Sequence, residues 1–181
     1  DTYIDDFPNI KNHLTVQQWN QLRQEDGHIY YIPQFGVIHG EDMSPKHSEE
    51  AFWIQKRVLE WAGYPKPKTL DDYFKLIESY MKANPVDEDG KPNVGFQILC
   101  DGWKYYCLEN PPMFLAGYPN EGCAIVEPKT LKAQVYDTIP EAKQYYSKLC
   151  EQCNKGMIEA ETFTMSYEEY VQKISSGNVL G

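Results

Sequence analysis

The chain has 181 residues, of which 41% are hydrophobic and 24% are charged, and its formal net charge is −10 at pH 7. This length favours one domain with a real core, and the composition is that of an ordinary soluble globular protein. The acidic balance, with no basic cluster to offset it, argues against nucleic-acid binding, and no apolar run approaches the roughly 18 residues of a membrane helix.

The first elements are predicted within the first 33 residues. Thr15 is a typical N-cap, so a short helix is predicted over residues 16–23. Residues 28–33 favour a strand, because isoleucine and tyrosine have high β propensity and a proline closes the run. Residues 35–48 carry glycine, proline and two histidines and are predicted to form a loop.

Two helices are predicted in the next part of the chain. After a possible short strand over residues 51–54, residues 55–62 favour a helix that Gly63 ends in the left-handed conformation. Thr69 begins a stronger helix, because an acidic residue follows three positions later in the manner of a capping box. Apolar side chains recur at helical spacing from residue 70 to residue 81, which gives one apolar stripe, and the helix is predicted to run to about residue 83.

The middle of the chain is rich in aromatic residues. A turn is predicted around residues 87–90, followed by a strand over residues 94–100. Residues 102–116 are predicted to be a loop and a helix that is broken at Pro111 and Pro112, because proline interrupts helical hydrogen bonding.

The last third predicts a hairpin and two helices. Residues 123–126 and 131–135 favour two strands around a turn. Thr138–Glu141 and Ser166–Glu169 have the pattern of capping boxes, and helices are predicted from them to about residues 154 and 175. The alternation of helices and strands indicates an α/β fold, with helices packed on a mostly parallel or mixed sheet.

Motifs of common enzymes are missing from the sequence, which has no nucleophile elbow, phosphate-binding loop, dinucleotide fingerprint or zinc-protease motif. The five cysteines are an odd number, so they cannot all pair within one chain. Cys150 and Cys153 form a C-x-x-C pair within a predicted helix, and they lack the strand–helix context of a redox motif and a second pair for zinc.

Two other segments carry side chains that could bind a metal ion. His39 and His47 share a loop with two acidic residues, and Asp87 with Asp89 resembles a shortened calcium loop. A calcium loop needs a suitably placed terminal glutamate, which this segment lacks, so an ordinary turn is favoured there. A solvated loop is favoured for the histidines. We therefore predict no metal and no cofactor.

The segment Asp101–Tyr106 is the most suggestive of ligand binding. It places Trp103, Tyr105 and Tyr106 directly after a predicted strand. Ligands of open α/β sheets bind beyond the carboxyl ends of the strands. Tryptophan and tyrosine offer a flat apolar face with a polar edge, which suits a sugar ring. Packing of these rings on the next helix is the competing interpretation.

The order of several segments resembles the family 1 extracellular solute-binding proteins that feed carbohydrate ABC transporters. His28–Pro33 is similar to the family's strand entering the hinge, and Phe52–Tyr64 resembles its W-I-x-K-D-x-L segment, from which this chain departs at Gln55 and Arg57. Further similarities lie in the helix start Pro67–Tyr73, the turn Asn84–Lys91, and the late helix and turn Ser166–Val179.

The resemblance implies one lobe of the type II periplasmic-binding-protein-like fold, with a central mixed sheet flanked by helices. Residues 1–35 would be the end of the first lobe and the hinge strand, and residues 36–181 would be the second, C-terminal lobe. The chain would thus be a fragment, with most of the first lobe missing from it. The implied ligand-binding residues are Asp101, Trp103, Tyr105 and Tyr106, with Phe35 and His39 near the hinge.

The function that the resemblance implies is ligand binding without catalysis. The expected ligand is a sugar or oligosaccharide, the expected partner is an ABC permease, and the expected location is the cell surface, as an extracellular lipoprotein. Two alternatives stay open at this point. A protein-interaction domain would show a large exposed apolar patch, and a carbohydrate-active enzyme would need two facing carboxylates in a cleft.

Overall fold

A computed structural model of the chain describes residues 2–32, 50–118, 124–127 and 129–181. The chain divides into two compact units, Asp1–Lys46 and His47–Gly181. Among the residues that the structure describes, no helix is long and apolar enough to cross a membrane.

The first unit contains a 3₁₀ helix at Ile4–Asp6 and two short helices, α1 (Pro8–Lys11) and α2 (Val16–Gln21). Thr15 caps α2, as predicted, in a reciprocal capping box with Gln18. The unit exposes several large apolar side chains, namely Tyr3, Phe7, Val16, Tyr30, Tyr31 and Ile32. Such a concentration is typical of a surface that packs against another protein segment.

The strand predicted over residues 28–33 is not formed in its described part, residues 28–32. Residues 28–32 have no strand pairing, and the carbonyl of His28 instead accepts the N–H of Gln24, which makes a local turn. β propensity marks residues that suit a half-buried sheet, but it forms a strand only where a partner pairs with it. Pro33 lies outside the described residues.

The second unit is mainly helical. Its helices are α3 (Lys56–Trp61), α4 (Leu70–Ala83), α5 (Tyr106–Glu109), α6 (Pro111–Leu115), α7 (Pro140–Asn154) and α8 (Tyr167–Ser175). Short 3₁₀ helices lie at Gly102–Tyr105, Tyr136–Thr138 and Ala160–Phe163. Strands β1 (Ala124–Val126) and β2 (Ala133–Val135) form an antiparallel hairpin, which confirms the predicted one.

Most of the predicted helix starts are confirmed. Thr69 and Ser166 each accept a first-turn N–H in a complete capping box, at α4 and α8. The box predicted at Thr138 is wrong, because Ile139 is the N-cap of α7 and the Thr138 hydroxyl donates to the carbonyl of Val135. Pro140 still occupies the first turn of α7, where its missing N–H costs nothing.

The two consecutive prolines in the aromatic region begin a helix. Pro111 and Pro112 occupy the first positions of α6, directly after α5 ends at Glu109. The predicted break therefore falls at Asn110, and proline's fixed backbone angle suits the helix that follows it.

Two predicted strands take a different form. Residues 94–100 are extended but pair only at single positions, Val94 with Val179 and Phe96 with Ile158, both parallel. Residues 51–54 form no strand, although the N–H of Gln55 donates to the carbonyl of Leu180. These segments pair with residues far along the chain, so local propensity does not fix their extent.

The core has two parts. The larger cluster joins α3, α4 and α7 to the extended segments, with Val58, Phe74, Ile77, Tyr145 and Leu180 almost fully buried. The smaller cluster lies where α6, the hairpin and the start of α7 meet, around Met113, Ile125 and Ala142.

A glycine allows the extended segments to approach closely. A Cβ atom at Gly95 would lie 2.7 Å from the backbone oxygen of Met157. Real Cβ atoms do not come this close, and a paired backbone oxygen cannot move aside cheaply. Gly95 is therefore required by the pairing of residues 94–96 with residues 157–158.

Gln55 and Arg57, the two positions that differ from the pattern of the resembled family, connect the region around the start of α3 to the C-terminal segment by hydrogen bonds. The Gln55 carboxamide donates to the carbonyls of Gly177 and Val179, at 3.1 and 2.8 Å. The guanidinium of half-buried Arg57 donates to the carbonyl of Gly177 at 2.7 Å and to the Asn93 side chain at 3.0 Å. Within the described residues, both side chains donate to backbone carbonyls that accept no backbone N–H from a neighbouring strand.

Replacing Arg57 by alanine should destabilise the second unit, because it leaves the Gly177 carbonyl and the Asn93 amide oxygen without this donor. We expect the free energy of unfolding to fall by about 1–3 kcal/mol in urea denaturation. Lys56→Ala is the matched control, since Lys56 is exposed, and it should change stability by less than about 0.5 kcal/mol. Equal effects of the two substitutions would contradict this role of Arg57.

Candidate functional site

The candidate site lies at one edge of the extended segments of the second unit. Residues 94–96 run parallel both to the C-terminal segment, through Val179, and to Ile158. Parallel segments bring their carboxyl ends to the same edge, and in α/β folds that edge is where ligands bind. The chain leaves this edge from Cys100 directly into residues 101–106, here called the aromatic loop.

A pocket of about 440 Å³ opens at this edge, and we call it the edge pocket. Its volume is within the usual range for small-molecule sites. The lining residues come from the segment before α3, the extended segment, α5, α6, α7, α8 and the C-terminal segment. The side chains that matter below are Glu50, Trp53, Gln97, Tyr106, Cys107 and Tyr170.

The aromatic loop reaches the pocket through Tyr106. The rings of Trp103 and Tyr106 lie 5.6 Å apart with an interplanar angle of 31°. Trp103 is 76% exposed, the second most exposed large hydrophobic residue of the described second unit after Leu131 at 77%. An indole at this exposure contributes little to the core, so the packing interpretation of Trp103 loses support. Trp103 and Tyr106 together form an aromatic surface beside the edge pocket.

The carboxylate of Asp101 is partly committed to the fold. Its Oδ2 atom accepts the backbone N–H of Tyr167, the first residue of α8, at 3.0 Å. A negative charge near the start of a helix is favourable, because the first N–H groups of a helix lack internal partners.

The predicted site residues fall into two groups. Asp101, Trp103, Tyr105 and Tyr106 lie together in the aromatic loop. Of these, Tyr106 lines the edge pocket, and Tyr105 is 43% exposed and lies outside the described pocket lining. Phe35 and His39 lie outside the described residues.

Sequence reasoning missed two aromatic residues at the site. Trp53 is 71% exposed and lines the edge pocket from the segment before α3. Tyr170 lines it from α8, together with Ile174 one turn later. The spacing of Tyr167, Tyr170 and Ile174 marks one face of α8 and could have indicated Tyr170. Trp53 gives no such signal, because only distant pairing brings it to the pocket.

The thiols near the pocket are poor nucleophiles. Cys100 is buried, and burial raises the pKa of its thiol to about 11. Cys107 lines the pocket, and burial also raises the pKa of its thiol, with the nearby Glu50 carboxylate as a second cause. A reactive cysteine needs a lowered pKa, so both thiols stay protonated at neutral pH.

The C-x-x-C pair lies on a helix, and the acidic turn around Asp87 is held by its own hydrogen bonds. Cys150 and Cys153 lie in the second half of α7, the first exposed and the second half-buried. Asp87 folds its own turn, since its Oδ1 atom accepts the N–H groups of Asp89 and Lys91 at 2.9 and 2.8 Å. Within the described residues, no three His, Cys, Asp or Glu side chains form a group that could hold a metal ion.

Comparison with known proteins points to transport proteins. No family model matches the chain. The chain is 25% identical to the fructooligosaccharide ABC transporter substrate-binding protein FusA of Streptococcus pneumoniae over 179 residues, which cover 92% of this chain and 31% of that protein.

The structure is similar to a solved structure of the Streptococcus pneumoniae ABC-transporter substrate-binding protein FusA, an EF-hand mutant in complex with fructo-nystose. The TM-score is 0.66 at 21% sequence identity, and the match covers 99% of this chain and 37% of that one. The chain thus spans about a third of the length of the proteins it matches. The predicted α/β fold class is confirmed, and the chain is a homologue of ABC transporter substrate-binding proteins.

Proposed function

We propose that this chain forms one wall of the ligand site of an ABC transporter substrate-binding protein, and that the ligand is an oligosaccharide. The observation that carries the proposal is the exposed ring of Trp103 beside the edge pocket, at the carboxyl edge of the parallel segments. An exposed indole offers a flat apolar face that a ligand can cover, and this supports the proposal that Trp103 is part of a binding surface.

The chemistry of the wall suits a sugar. Sugar rings present C–H faces that pack on aromatic rings. Trp53 and Tyr106 supply such rings in the pocket lining, and Trp103 supplies one beside it. Sugar hydroxyls need hydrogen-bonding groups, which Asp101 and the tyrosine hydroxyls provide. The pocket also holds polar Gln97 at its lining, so it combines apolar faces with a few polar groups, as small-molecule sites do.

The homologue narrows the class of ligand to test. Its name assigns it to fructooligosaccharide transport, and its solved structure contains fructo-nystose. Because the present chain spans only about a third of that protein, the ligand of this chain is a separate proposal. We propose an oligosaccharide, with fructooligosaccharides as the first class to examine.

The proposed mechanism is closure without catalysis. Two lobes would close around the oligosaccharide, with this chain supplying most of the second, and the closed form would deliver it to an ABC permease. We further propose that the protein acts outside the cell and is held at the surface by a lipid anchor. Closure requires the ligand to contact both lobes, so the second unit alone is expected to bind weakly.

A carbohydrate-active enzyme is less well supported. Glycoside hydrolysis commonly needs two carboxylates facing each other across the bond to be cut. Among the described residues that line the edge pocket, Glu50 is the one carboxylate, and its Oε1 atom accepts the side-chain amide of Asn110 at 3.0 Å. No second carboxylate in the described lining faces it, so a glycosidase pair cannot be assigned there.

The proposal predicts oligosaccharide binding by the full-length protein that contains this chain. Isothermal titration calorimetry with nystose, a maltooligosaccharide and a xylooligosaccharide should show saturable binding of at least one of them. An apolar-stacking interface should also give a negative heat-capacity change. Failure of every oligosaccharide in a wider panel, with a peptide bound instead, would contradict the sugar assignment.

Replacing Trp103 by alanine in the same protein should weaken the bound oligosaccharide at least about tenfold, because the stacking face is lost. Trp61→Ala is the matched control. Trp61 is 48% exposed and packs edge-on against Tyr80, outside the described lining of the edge pocket. Both variants should be folded by circular dichroism. Equal affinities of the two variants would show that Trp103 does not stack on the sugar.

A further inference from the structure

A lysine of the aromatic loop lies between two rings. The ammonium of Lys104 is 5.0 Å from the centre of the Trp103 ring and 4.3 Å from the centre of the Tyr167 ring. Both distances fall within the range of cation–π attraction. Lys104 is half-buried in the 3₁₀ helix at Gly102–Tyr105, and Tyr167 is the first residue of α8.

A second interaction joins the same two segments. The carboxylate of Asp101 accepts the backbone N–H of Tyr167, so both the start of the aromatic loop and Lys104 contact the first residue of α8. α8 in turn begins with a complete capping box between Ser166 and Glu169, which fixes its first turn. The loop is therefore attached to a structurally defined helix start at two places.

The attachment of the aromatic loop to α8 affects how freely the exposed Trp103 ring can move. A side chain as exposed as Trp103 would lose conformational entropy when a ligand orders it, and this loss weakens binding. The ammonium of Lys104 and the ring of Tyr106 both lie against the Trp103 ring. A ring already held in place binds more tightly than a free one.

We propose that Lys104 is a positioning residue for the ligand site, and that it holds the Trp103 ring by anchoring it to Tyr167. This inference rests on the proposed sugar-binding function, in which Trp103 stacks on the ligand. Lys104 then acts through Trp103 and not by direct contact with the sugar. The distinction can be measured, because an effect that passes through Trp103 must disappear when Trp103 is removed.

The test is a double-mutant cycle in the full-length protein, with nystose or the best-bound oligosaccharide of the panel as the probe. Lys104→Met keeps the aliphatic stem and removes the charge, so it should weaken binding about fivefold. In the Trp103→Ala background the same substitution should change affinity by less than about twofold. Lys104→Arg should keep the affinity close to that of the wild-type protein, because a guanidinium also binds aromatic faces.

A readout without ligand tests the contact itself. The indole N–H resonance of Trp103, identified by its loss in Trp103→Phe, should shift in Lys104→Met and return towards its original position in Lys104→Arg. Lys66→Met, at an exposed lysine before α4, is the matched control and should leave both the resonance and the affinity unchanged.

Each other outcome counts against a defined part of the account. A fivefold loss that persists in the Trp103→Ala background would mean that Lys104 contacts the ligand directly, which overturns the positioning role. Unchanged affinity and an unshifted resonance in Lys104→Met would overturn it as well. Absence of oligosaccharide binding by the wild-type protein would refute the proposed function, while the resonance would still report on the contact between Lys104 and Trp103.

Discussion

The parallel pairing of Val94 with Val179 is the interaction on which the second unit depends. The N–H of Val94 donates to the carbonyl of Asn178, and the N–H of Leu180 donates to the carbonyl of Val94, both at 2.9 Å. The paired residues are far apart in sequence, so the pairing closes a long loop and brings fully buried Leu180 into the main core. The penultimate residue of the sequence is thus part of the main core.

The same pairing creates the candidate site. Once residues 94–96 lie beside the C-terminal segment, the N–H of Gln97 donates to the carbonyl of Gly181, and both residues line the edge pocket. The segment before α3 attaches to this pair through Gln55, which places Trp53 at the pocket. Fold and site therefore share their hydrogen bonds, and a change that loosens the C-terminal segment should affect both.

Sequence reasoning succeeded where the determining interactions are local. The helices with full capping boxes at Thr69 and Ser166 were predicted together with their caps, because each box lies within four residues. The hairpin was predicted for the same reason. The density of aromatic residues after residue 100 predicts rings at the end of an extended segment, where Trp103 and Tyr106 lie, but it does not reveal the contact of Lys104 with Tyr167.

It failed where the interactions span the chain. Residues 51–54 and 94–100 were predicted as strands from propensity, but their pairing is set by residues 157–158 and 177–181, which restrict it to single positions. Trp53 and Tyr170 were missed because they approach the pocket only through those pairings. The capping box at Thr138 failed because the hydroxyl donates to Val135 instead of accepting a helix N–H.

The most direct test is a crystal structure of the full-length protein with its best-bound oligosaccharide. A sugar ring packed face-on against Trp103, with its neighbours reaching the edge pocket, is the result that this account predicts. An oligosaccharide bound elsewhere, with the Trp103 ring still exposed to solvent in a closed protein, would contradict it.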